Sequence, residues 1–174
     1  MEKTALVIID VQVAMFSYSQ PPYRGQEVLA NIQLLLKKAR ETGMPVVFIQ
    51  HTADEEYTRG ISTWEICPEI APLPDEKRVE KPTWDAFHKT ELDSVLKGLD
   101  VHTLIFCGMQ TEFCVDTTCR RAFSMGYKAF LAEDGHTTLD SDTLQAAQIV
   151  AHHNRVLGGR FVALKSTNEL LQEM

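Results

Sequence analysis

Two residues whose side chains can do covalent chemistry, Asp10 and Cys114, stand at the ends of apolar segments of this chain. A carboxylate that closes an apolar strand, as Asp10 does, is costly unless it caps a helix, pairs with a loop cation or serves a reaction. Cys114 lies near the start of a predicted helix, where free N–H groups and the helix dipole favour the nucleophilic thiolate. Free cysteine is also common as a small buried hydrophobe, which is the role we expect for Cys107 and Cys119.

Lys81 could supply the positive charge that a carboxylate and a thiolate need. It lies in residues 79–87 (VEKPTWDAF), which we predict to be a loop because Pro82 forces an extended chain before it. A lysine in a loop is normally a solvated surface charge, and spacing alone does not connect Lys81 to Asp10 or Cys114. The residues therefore leave two interpretations open, a linked catalytic set or three unrelated side chains.

Short β-branched segments alternate with segments of helical periodicity, and these elements must position the reactive side chains. We predict strands at residues 4–10, 45–50, 102–107, 128–131 and 161–164. We predict helices at residues 26–42, 91–99, 113–125 and 141–157, and a short helix that begins at the capping box of residues 166–169 (STNE). Residues 51–80 are predicted to be a long connection that is functional or partly structured.

Apolar strands that are separated by helices indicate a parallel sheet covered on both faces. With right-handed crossovers this gives an α/β fold, a three-layer α/β/α sandwich with a mostly parallel, doubly wound, Rossmann-like sheet. We expect residues 1–174 to form a single domain, because no linker or repeat divides them. The ligand site of such a fold lies beyond the carboxyl ends of the strands, which selects Asp10, His51, residues 108–114 and residues 133–136.

The composition argues against several classes of partner. The chain has 174 residues, 44% of them hydrophobic and 24% charged, with a formal net charge of −7 and a pI near 5.3. A surface of that sign repels phosphate backbones and anionic lipids, so we expect neither nucleic acid nor membrane as a partner. The sequence has no bilayer-spanning apolar stretch and no signal-peptide pattern, and its four cysteines form no CxxC pair. We expect a cytoplasmic location.

Three motifs make this sequence resemble the isochorismatase-like cysteine hydrolases, a superfamily that includes nicotinamidases, amidases of carbamoyl and ureide compounds, and isochorismatases. The motifs are residues 7–12 (VIIDVQ), residues 80–87 (EKPTWDAF) and residues 108–118 (GMQTEFCVDTT). In the third motif a Gly-x-x-Thr turn leads into Cys-Val and a helix. Each motif falls at a predicted strand end or loop and in the right order, so the resemblance covers essentially the whole chain.

The resemblance implies a catalytic triad of Asp10, Lys81 and Cys114. Asp10 would take the thiol proton and later deliver it to the leaving amine, while Lys81 would hold that carboxylate and stabilise the thiolate. The resemblance also implies an oxyanion hole formed by the N–H groups of Gln110 and Cys114, with a cis peptide between Met109 and Gln110. Isochorismatases that cleave a vinyl ether lack the nucleophilic cysteine, so Cys114 favours hydrolysis of an amide, ureide or carbamoyl C–N bond through a thioester.

The six histidines raise the alternative of a metal-assisted amidase of the nicotinamidase type. Nicotinamidases bind a divalent ion through an Asp-x-His-Pro element after the second strand, where this chain has residues 49–54 (IQHTAD). The Asp-x-His spacing is absent, as are the HxH and HExxH patterns. His152 and His153 are adjacent on a predicted helix and point about 100° apart. We therefore predict no metal and no other cofactor.

Side chains close in sequence to the motif residues are candidates for a substrate pocket. Aromatic residues beside a catalytic group often line an apolar cleft, although plain loop packing is the alternative for each of them. For the glutamine of the first motif, support of the neighbouring carboxylate or turn is a further interpretation. The predicted pocket residues are Gln12, Phe16, His51, Trp84, Phe87, Met109 and His136.

Two other functions remain open at this point. A reactive-thiol protein for redox or stress sensing could use Cys114, but it would leave Lys81 and Asp10 without a task. A non-catalytic, oligomer-forming member could keep the triad by descent, and its thiol would not react with alkylating reagents well below pH 8. We expect a small-molecule amide or carbamoyl substrate and a homo-oligomer, either a dimer or a larger assembly.

Overall fold

The apolar segments of the sequence form the strands of one parallel sheet in the computed structural model, which describes residues 3–174. The sheet has the strand order β3-β2-β1-β4-β5-β6, and every neighbouring pair is parallel. Its strands are β1 (Thr4–Ile9), β2 (Val46–His51), β3 (Lys77–Lys81), β4 (Thr103–Met109), β5 (Lys128–Thr137) and β6 (Ala163–Lys165). The central strand β1 is buried along its whole length, as expected for a sheet that is covered on both faces.

Five α-helices cover the two faces of this sheet. They are α1 (Gly25–Thr42), α2 (Leu92–Gly98), α3 (Asp116–Ser124), α4 (Ala146–Leu157) and α5 (Thr167–Glu173). Helices α1 and α5 pack on the face that carries Leu6 and Ile8, and helices α2, α3 and α4 pack on the face that carries Ala5 and Val7. The predicted three-layer α/β/α sandwich is confirmed. Within residues 3–174, no helix combines the length and apolarity needed to cross a bilayer.

The strand order reverses between β1 and β4, and this reversal determines where a ligand can bind. From β1 the chain proceeds outward through β2 to β3, and then returns to the other side of β1 as β4. The connections leave the carboxyl ends of β1 and β4 in opposite directions, which opens a crevice there. Asp10 follows β1 directly, and Gln110 follows β4 directly. The fold thus brings the first and third sequence motifs to one crevice.

One strand was not predicted, and the bounds of two other elements differ from the prediction. Strand β3 lies within a segment that we predicted to be a connection and a loop, so the prediction that Lys81 is in a loop is wrong. Strand β5 continues to Thr137 instead of ending at Leu131. Leu131 pairs with Phe106 and His136 pairs with Gly108, so β5 has extra residues between these two pairs and bulges beside β4. The helix predicted at residues 141–157 begins at Ala146. The capping box of the last helix is confirmed.

The two edges of the sheet are short or charged. Strand β6 has only three residues, and β3 has the sequence KRVEK, in which Lys77 and Arg78 are exposed while Val79 and Lys81 are buried. A strand that is paired on one side only needs few apolar residues, and charged side chains are common on such edges. This composition explains why β3 has no strand signature in the sequence.

We predict that Gly108→Ala destabilises the protein by more than about 4 kcal/mol, the range reserved for severe single substitutions. Gly108 has a φ of 125°, which side chains rarely adopt, and a Cβ atom there would lie 2.0 Å from the carbonyl oxygen of Ile9. Strand β4 can therefore approach β1 only with glycine at this position. Urea unfolding monitored by circular dichroism measures the loss.

Gly98→Ala is the matched control for this substitution. Gly98 is the last residue of α2, and a Cβ atom there would meet nothing within 4 Å. Alanine has a higher helix propensity than glycine, so we expect unchanged or slightly higher stability. A Gly108→Ala protein as stable as Gly98→Ala would show that β4 does not need this close approach.

Candidate active site

The carboxylate of the crevice is held at the end of β1. Asp10 has a φ of 49°, a left-handed conformation that aspartate tolerates better than most residues. Its N–H donates to the carbonyl of Ile49 at 3.0 Å, which fixes the turn out of the strand against β2. The Asp10 side chain is completely buried, so its carboxylate requires a cationic partner.

Lys81 supplies that cation from two strands away. It is the last residue of β3 and is paired in register with His51, the last residue of β2. The lysine side chain spans the end of β2 and is completely buried. Its Nζ atom lies 2.7 Å from Oδ2 of Asp10 and donates to the carbonyl of Thr83 at 2.9 Å. The buried ammonium group thus has a carboxylate partner, and its hydrogen bond to Thr83 fixes its orientation.

His51 also contacts this ammonium group. Its Nδ1 atom lies 3.2 Å from Nζ of Lys81. An ammonium group can only donate, so Nδ1 is the unprotonated acceptor and the ring carries its proton on Nε2. Burial, followed by the charge of Lys81, lowers the pKa of His51, which keeps the ring neutral. His51 therefore helps to orient Lys81.

Cys114 reaches the same ammonium group from the other side of the crevice. It lies in a single π-helical turn, Thr111–Val115, that follows β4 and leads into α3. The carbonyl of Gln110 accepts hydrogen bonds from the N–H groups of Phe113 and Val115, at 3.2 and 3.1 Å. The Met109–Gln110 peptide is cis, as the resemblance implies. The Sγ atom of Cys114 accepts a hydrogen bond from Nζ of Lys81 at 3.1 Å, and Cys114 is 6% exposed.

The three predicted catalytic residues are therefore brought together, with the Lys81 ammonium between a carboxylate and a sulfur atom. Both oxygens of Asp10 are buried, and Lys81 is the cation beside them. The carboxylate oxygens keep lone pairs with which they can accept a proton. The catalytic role of the three residues stays a prediction.

Burial of the site opposes the thiolate that the position of Cys114 near a helix start favours. Burial raises the pKa of Cys114, and the charge of Asp10 raises it further, while Lys81 acts in the opposite direction. Burial acts to lower the pKa of Lys81, but Asp10 and Cys114 outweigh it and raise that pKa. Burial therefore favours the neutral form of the thiol, and the carboxylate of Asp10 favours the charged form of the ammonium. Such an arrangement suits proton transfer from the thiol to Asp10 at the moment of attack.

The predicted pocket residues fall into two groups. Trp84 is 58% exposed, whereas His51 and Phe16 are half-buried, and Phe16 packs against the core on the α1 face. Gln12, Phe87, Met109 and His136 are buried. The pocket role of both groups stays a prediction, and the second group has little surface with which to contact a substrate.

Three of the buried residues make structural contacts, and their pocket role stays a prediction. Gln12 uses its whole amide on the backbone: Oε1 accepts from the N–H of His51, and Nε2 donates to the carbonyls of His51 and Trp64. Phe87 stacks on Tyr127 with ring centroids 5.7 Å apart, within the core beneath α2 and α3. Met109 belongs to the core on the α1 face. The aromatic and apolar character of these residues is explained by packing.

His136 likewise lies in the interior, with both ring nitrogens bonded to protein groups. Nδ1 lies 2.9 Å from Oγ1 of Thr111, and Nε2 lies 2.9 Å from Oδ1 of Asn154. Burial lowers the pKa of His136 to about 4. Both ring nitrogens are thus occupied by protein groups, and the pocket role of His136 stays a prediction.

Residues that could hold a metal were sought among histidine, cysteine and acidic side chains. Across residues 3–174, no three of these side chains are grouped as metal ligands would be. His51 lies in the segment that stands where nicotinamidases have their metal element. It directs Nδ1 at the Lys81 ammonium, and a neighbouring cation opposes metal binding there. The absence of a metal stays a prediction that a chelator can test.

Comparison with known proteins identifies the family. The model of the isochorismatase domain matches residues 4–158, which include Asp10, Lys81 and Cys114. The chain belongs to the isochorismatase family of hydrolases. A crystal structure of an isochorismatase family protein superposes with a TM-score of 0.92 at 35% identity, covering 95% of this chain and 99% of that one.

Two curated relatives of this isochorismatase-family chain carry activity names. The streptothricin hydrolase of Streptomyces noursei is 34% identical over 155 residues, which are 82% of this chain and 55% of that protein. The chain thus spans just over half the length of that relative. The ureidoacrylate amidohydrolase of Pantoea ananatis is 26% identical, over 85% of this chain and 74% of that protein.

Several contacts of this isochorismatase-family site could not be predicted from the sequence. The Lys81–His51 contact depends on the β2–β3 register, and it could have been inferred only if β3 had been recognised. The contact of Asn154 with His136 joins a helix to a strand bulge, and nothing in a single sequence signals it. Thr83 contributes a backbone carbonyl, which carries no sequence signal at all.

Proposed function

We propose that this isochorismatase-family protein hydrolyses a C–N bond of a small amide, ureide or carbamoyl compound through a thioester at Cys114. One observation carries the proposal: Nζ of the buried Lys81 lies 2.7 Å from Oδ2 of Asp10 and 3.1 Å from Sγ of Cys114. Nucleophilic acyl transfer needs a thiol, a carboxylate that can accept its proton, and a cation that stabilises the sulfur anion. Here the cation contacts both of the other groups. The names of the two curated relatives support C–N bonds as the substrate class.

The reaction would begin with transfer of the Cys114 proton to Asp10 as Sγ attacks the carbonyl carbon. The negative charge that develops on the carbonyl oxygen would be stabilised by the N–H groups of Gln110 and Cys114. Asp10 would then deliver its proton to the nitrogen, the C–N bond would break, and the thioester would remain on Sγ. Lys81 would keep its proton throughout and stabilise the sulfur anion.

The second half of the reaction would use water as the nucleophile. Asp10 would take a proton from the water, which attacks the thioester carbonyl and forms the new C–O bond. The C–S bond would break, and the proton on Asp10 would return to Sγ. The products are an acid and an amine or ammonia, and the free enzyme is regenerated with no other reactant.

We also propose that the protein acts in a reducing compartment such as the cytoplasm and as a homo-oligomer. All four cysteines are free, which supports the first point. Trp84, Phe113 and Phe123 expose large apolar surface, which supports the second. Light scattering of the purified protein measures the assembly directly.

Ammonia release from a panel of primary amides, ureides and N-carbamoyl amino acids tests the proposed reaction, with a nicotinamidase as the assay control. We expect release by the wild-type protein that EDTA does not change, because Asp10, Lys81 and Cys114 are in place and residues 3–174 contain no group of three potential metal ligands. Intact-mass measurement after acid quench should show an acyl adduct on the enzyme. Release that EDTA abolishes and a divalent ion restores would contradict the metal-free mechanism, and silence on all three classes would contradict the substrate class.

A further inference from the structure

A directed line of hydrogen bonds lies beneath the turn that carries Gln110 and Cys114. Thr111 and His136, which form its first link, are both buried. Oγ1 of Thr111 lies 2.9 Å from Nδ1 of His136, and Nε2 of His136 lies 2.9 Å from Oδ1 of Asn154. Nδ2 of Asn154 donates to the carbonyl of Glu133 at 3.1 Å. The line joins the π-helical turn to strand β5 and helix α4.

The direction of each bond follows from its neighbour. Because Nδ2 of Asn154 donates to the carbonyl of Glu133, the oxygen Oδ1 faces the ring and can only accept. Nε2 of His136 must then carry the ring proton. A neutral imidazole has one N–H group, so Nδ1 is an acceptor and the hydroxyl of Thr111 donates to it. The assignment of this tautomer rests on the hydrogen-bond network.

The surroundings of the ring keep it neutral. Burial is the main cause that lowers the pKa of His136, and the nearby His153 of α4 acts in the same direction. Asp134 of β5 acts in the opposite direction, but its Oδ1 atom is occupied by the N–H and hydroxyl groups of Thr167. Glu112, on the π-helical turn, accepts from the hydroxyl of Thr138. The acceptor at Nδ1 is therefore maintained at neutral pH.

Thr111 stands between the two segments that the reaction needs. It directly follows Gln110 and begins the turn that contains Cys114. We propose that His136, as a neutral acceptor held by Asn154, is a positioning residue that fixes Thr111 and thereby the N–H groups of Gln110 and Cys114. This inference rests on the proposed hydrolysis and adds to it a residue that touches neither substrate nor reacting atom.

Two variants of His136 each retain one of the two hydrogen bonds that the ring makes and remove the other. In His136→Asn the side-chain amide occupies the place of Nδ1, so it can still accept from Thr111 but no longer reaches Asn154. In His136→Gln the amide occupies the place of Nε2, so it can still donate to Asn154 but leaves Thr111 without its acceptor. A role in stability alone would affect both variants, whereas a positioning role makes the Gln variant much worse in catalysis.

We expect kcat of His136→Gln to fall about 10- to 100-fold, with KM within about threefold of the wild-type value. Misplaced oxyanion donors reduce the stabilisation of the transition state but do not affect substrate binding. His136→Asn should recover most of kcat. Thr111→Val, which removes the hydroxyl, and Thr111→Ser, which retains it, form a second pair with the same expected contrast if a His136 variant does not fold. Equal kcat in both members of a pair would overturn the inference.

A readout without substrate separates this inference from the proposed function. Hydrogen exchange of the amides of Thr111–Val115 should be about tenfold faster in His136→Gln and Thr111→Val than in the wild type, and unchanged in His136→Asn and Thr111→Ser. Nitrogen NMR of the wild-type ring should show a proton on Nε2 and none on Nδ1. A protonated Nδ1 or unchanged exchange overturns the positioning role even if hydrolysis is observed, whereas a silent substrate panel with the expected exchange contradicts only the proposed reaction.

Discussion

Cys114→Ala is expected to lower kcat by about 10⁴-fold or more while the fold is retained. The substitution removes the only atom of the site that can form the proposed thioester, and no other cysteine has Lys81 as a hydrogen-bond partner. The side chain is buried but small, so its loss leaves a cavity of about one sulfur atom. Ammonia release under saturating substrate, together with circular dichroism and urea unfolding, measures both parts of the expectation.

Cys119→Ala is the matched control for this variant. Cys119 lies in α3, five residues after Cys114, and is buried against the same core without contact to Lys81. We expect it to keep wild-type kcat and to lose on the order of 1 kcal/mol of stability, the typical cost of a small core truncation. Equal activity of the two variants would show that the sulfur of Cys114 is not the nucleophile.

Lys81→Met is expected to abolish activity and also to destabilise the protein by about 3–5 kcal/mol. The substitution keeps much of the apolar length of the side chain but leaves the completely buried carboxylate of Asp10 without its cation. A buried charge whose partner is removed costs far more than the pair contributed. Urea unfolding measures the stability, and ammonia release measures the activity.

A second substitution separates the structural and the chemical parts of this loss. In Lys81→Met/Asp10→Asn the buried charge is absent, so we expect most of the stability to return while activity does not. Lys77→Met, in the exposed part of the same strand, should stay within about 0.5 kcal/mol of the wild type and keep full activity. A Lys81→Met protein with wild-type stability would contradict the expectation that this buried ion pair is needed for stability.

The general fold could be predicted from the sequence because its signals are local. The β1 segment is apolar throughout, which is typical of a buried strand. The α1 segment has apolar residues at helical spacing and is followed by Gly43, which is typical of a helix and its C-terminal cap. Asp10 and Cys114 could be selected because a polar group after a buried strand lies at the edge where α/β folds bind ligands. These inferences need no knowledge of how distant elements meet.

Lys81 could not be assigned in this way, because its task depends on a neighbour in the sheet. A five-residue edge strand with two exposed charges has the composition of a loop, and only the pairing of Lys81 with His51 shows where the side chain points. The pKa direction of Cys114 has the same origin. Helix position and a nearby lysine favour a thiolate, but burial, which packing alone determines, outweighs them.

The composition of the sheet edges has a consequence for the behaviour of this protein at high concentration. An edge strand with free backbone groups is a template on which a second chain can add a strand, which is how many aggregates and fibres begin. Here β3 presents Lys77 and Arg78, so two copies that approach edge to edge meet like charges, and β6 offers only three residues for pairing. Strand addition between copies of this chain is thus disfavoured at both edges of the sheet.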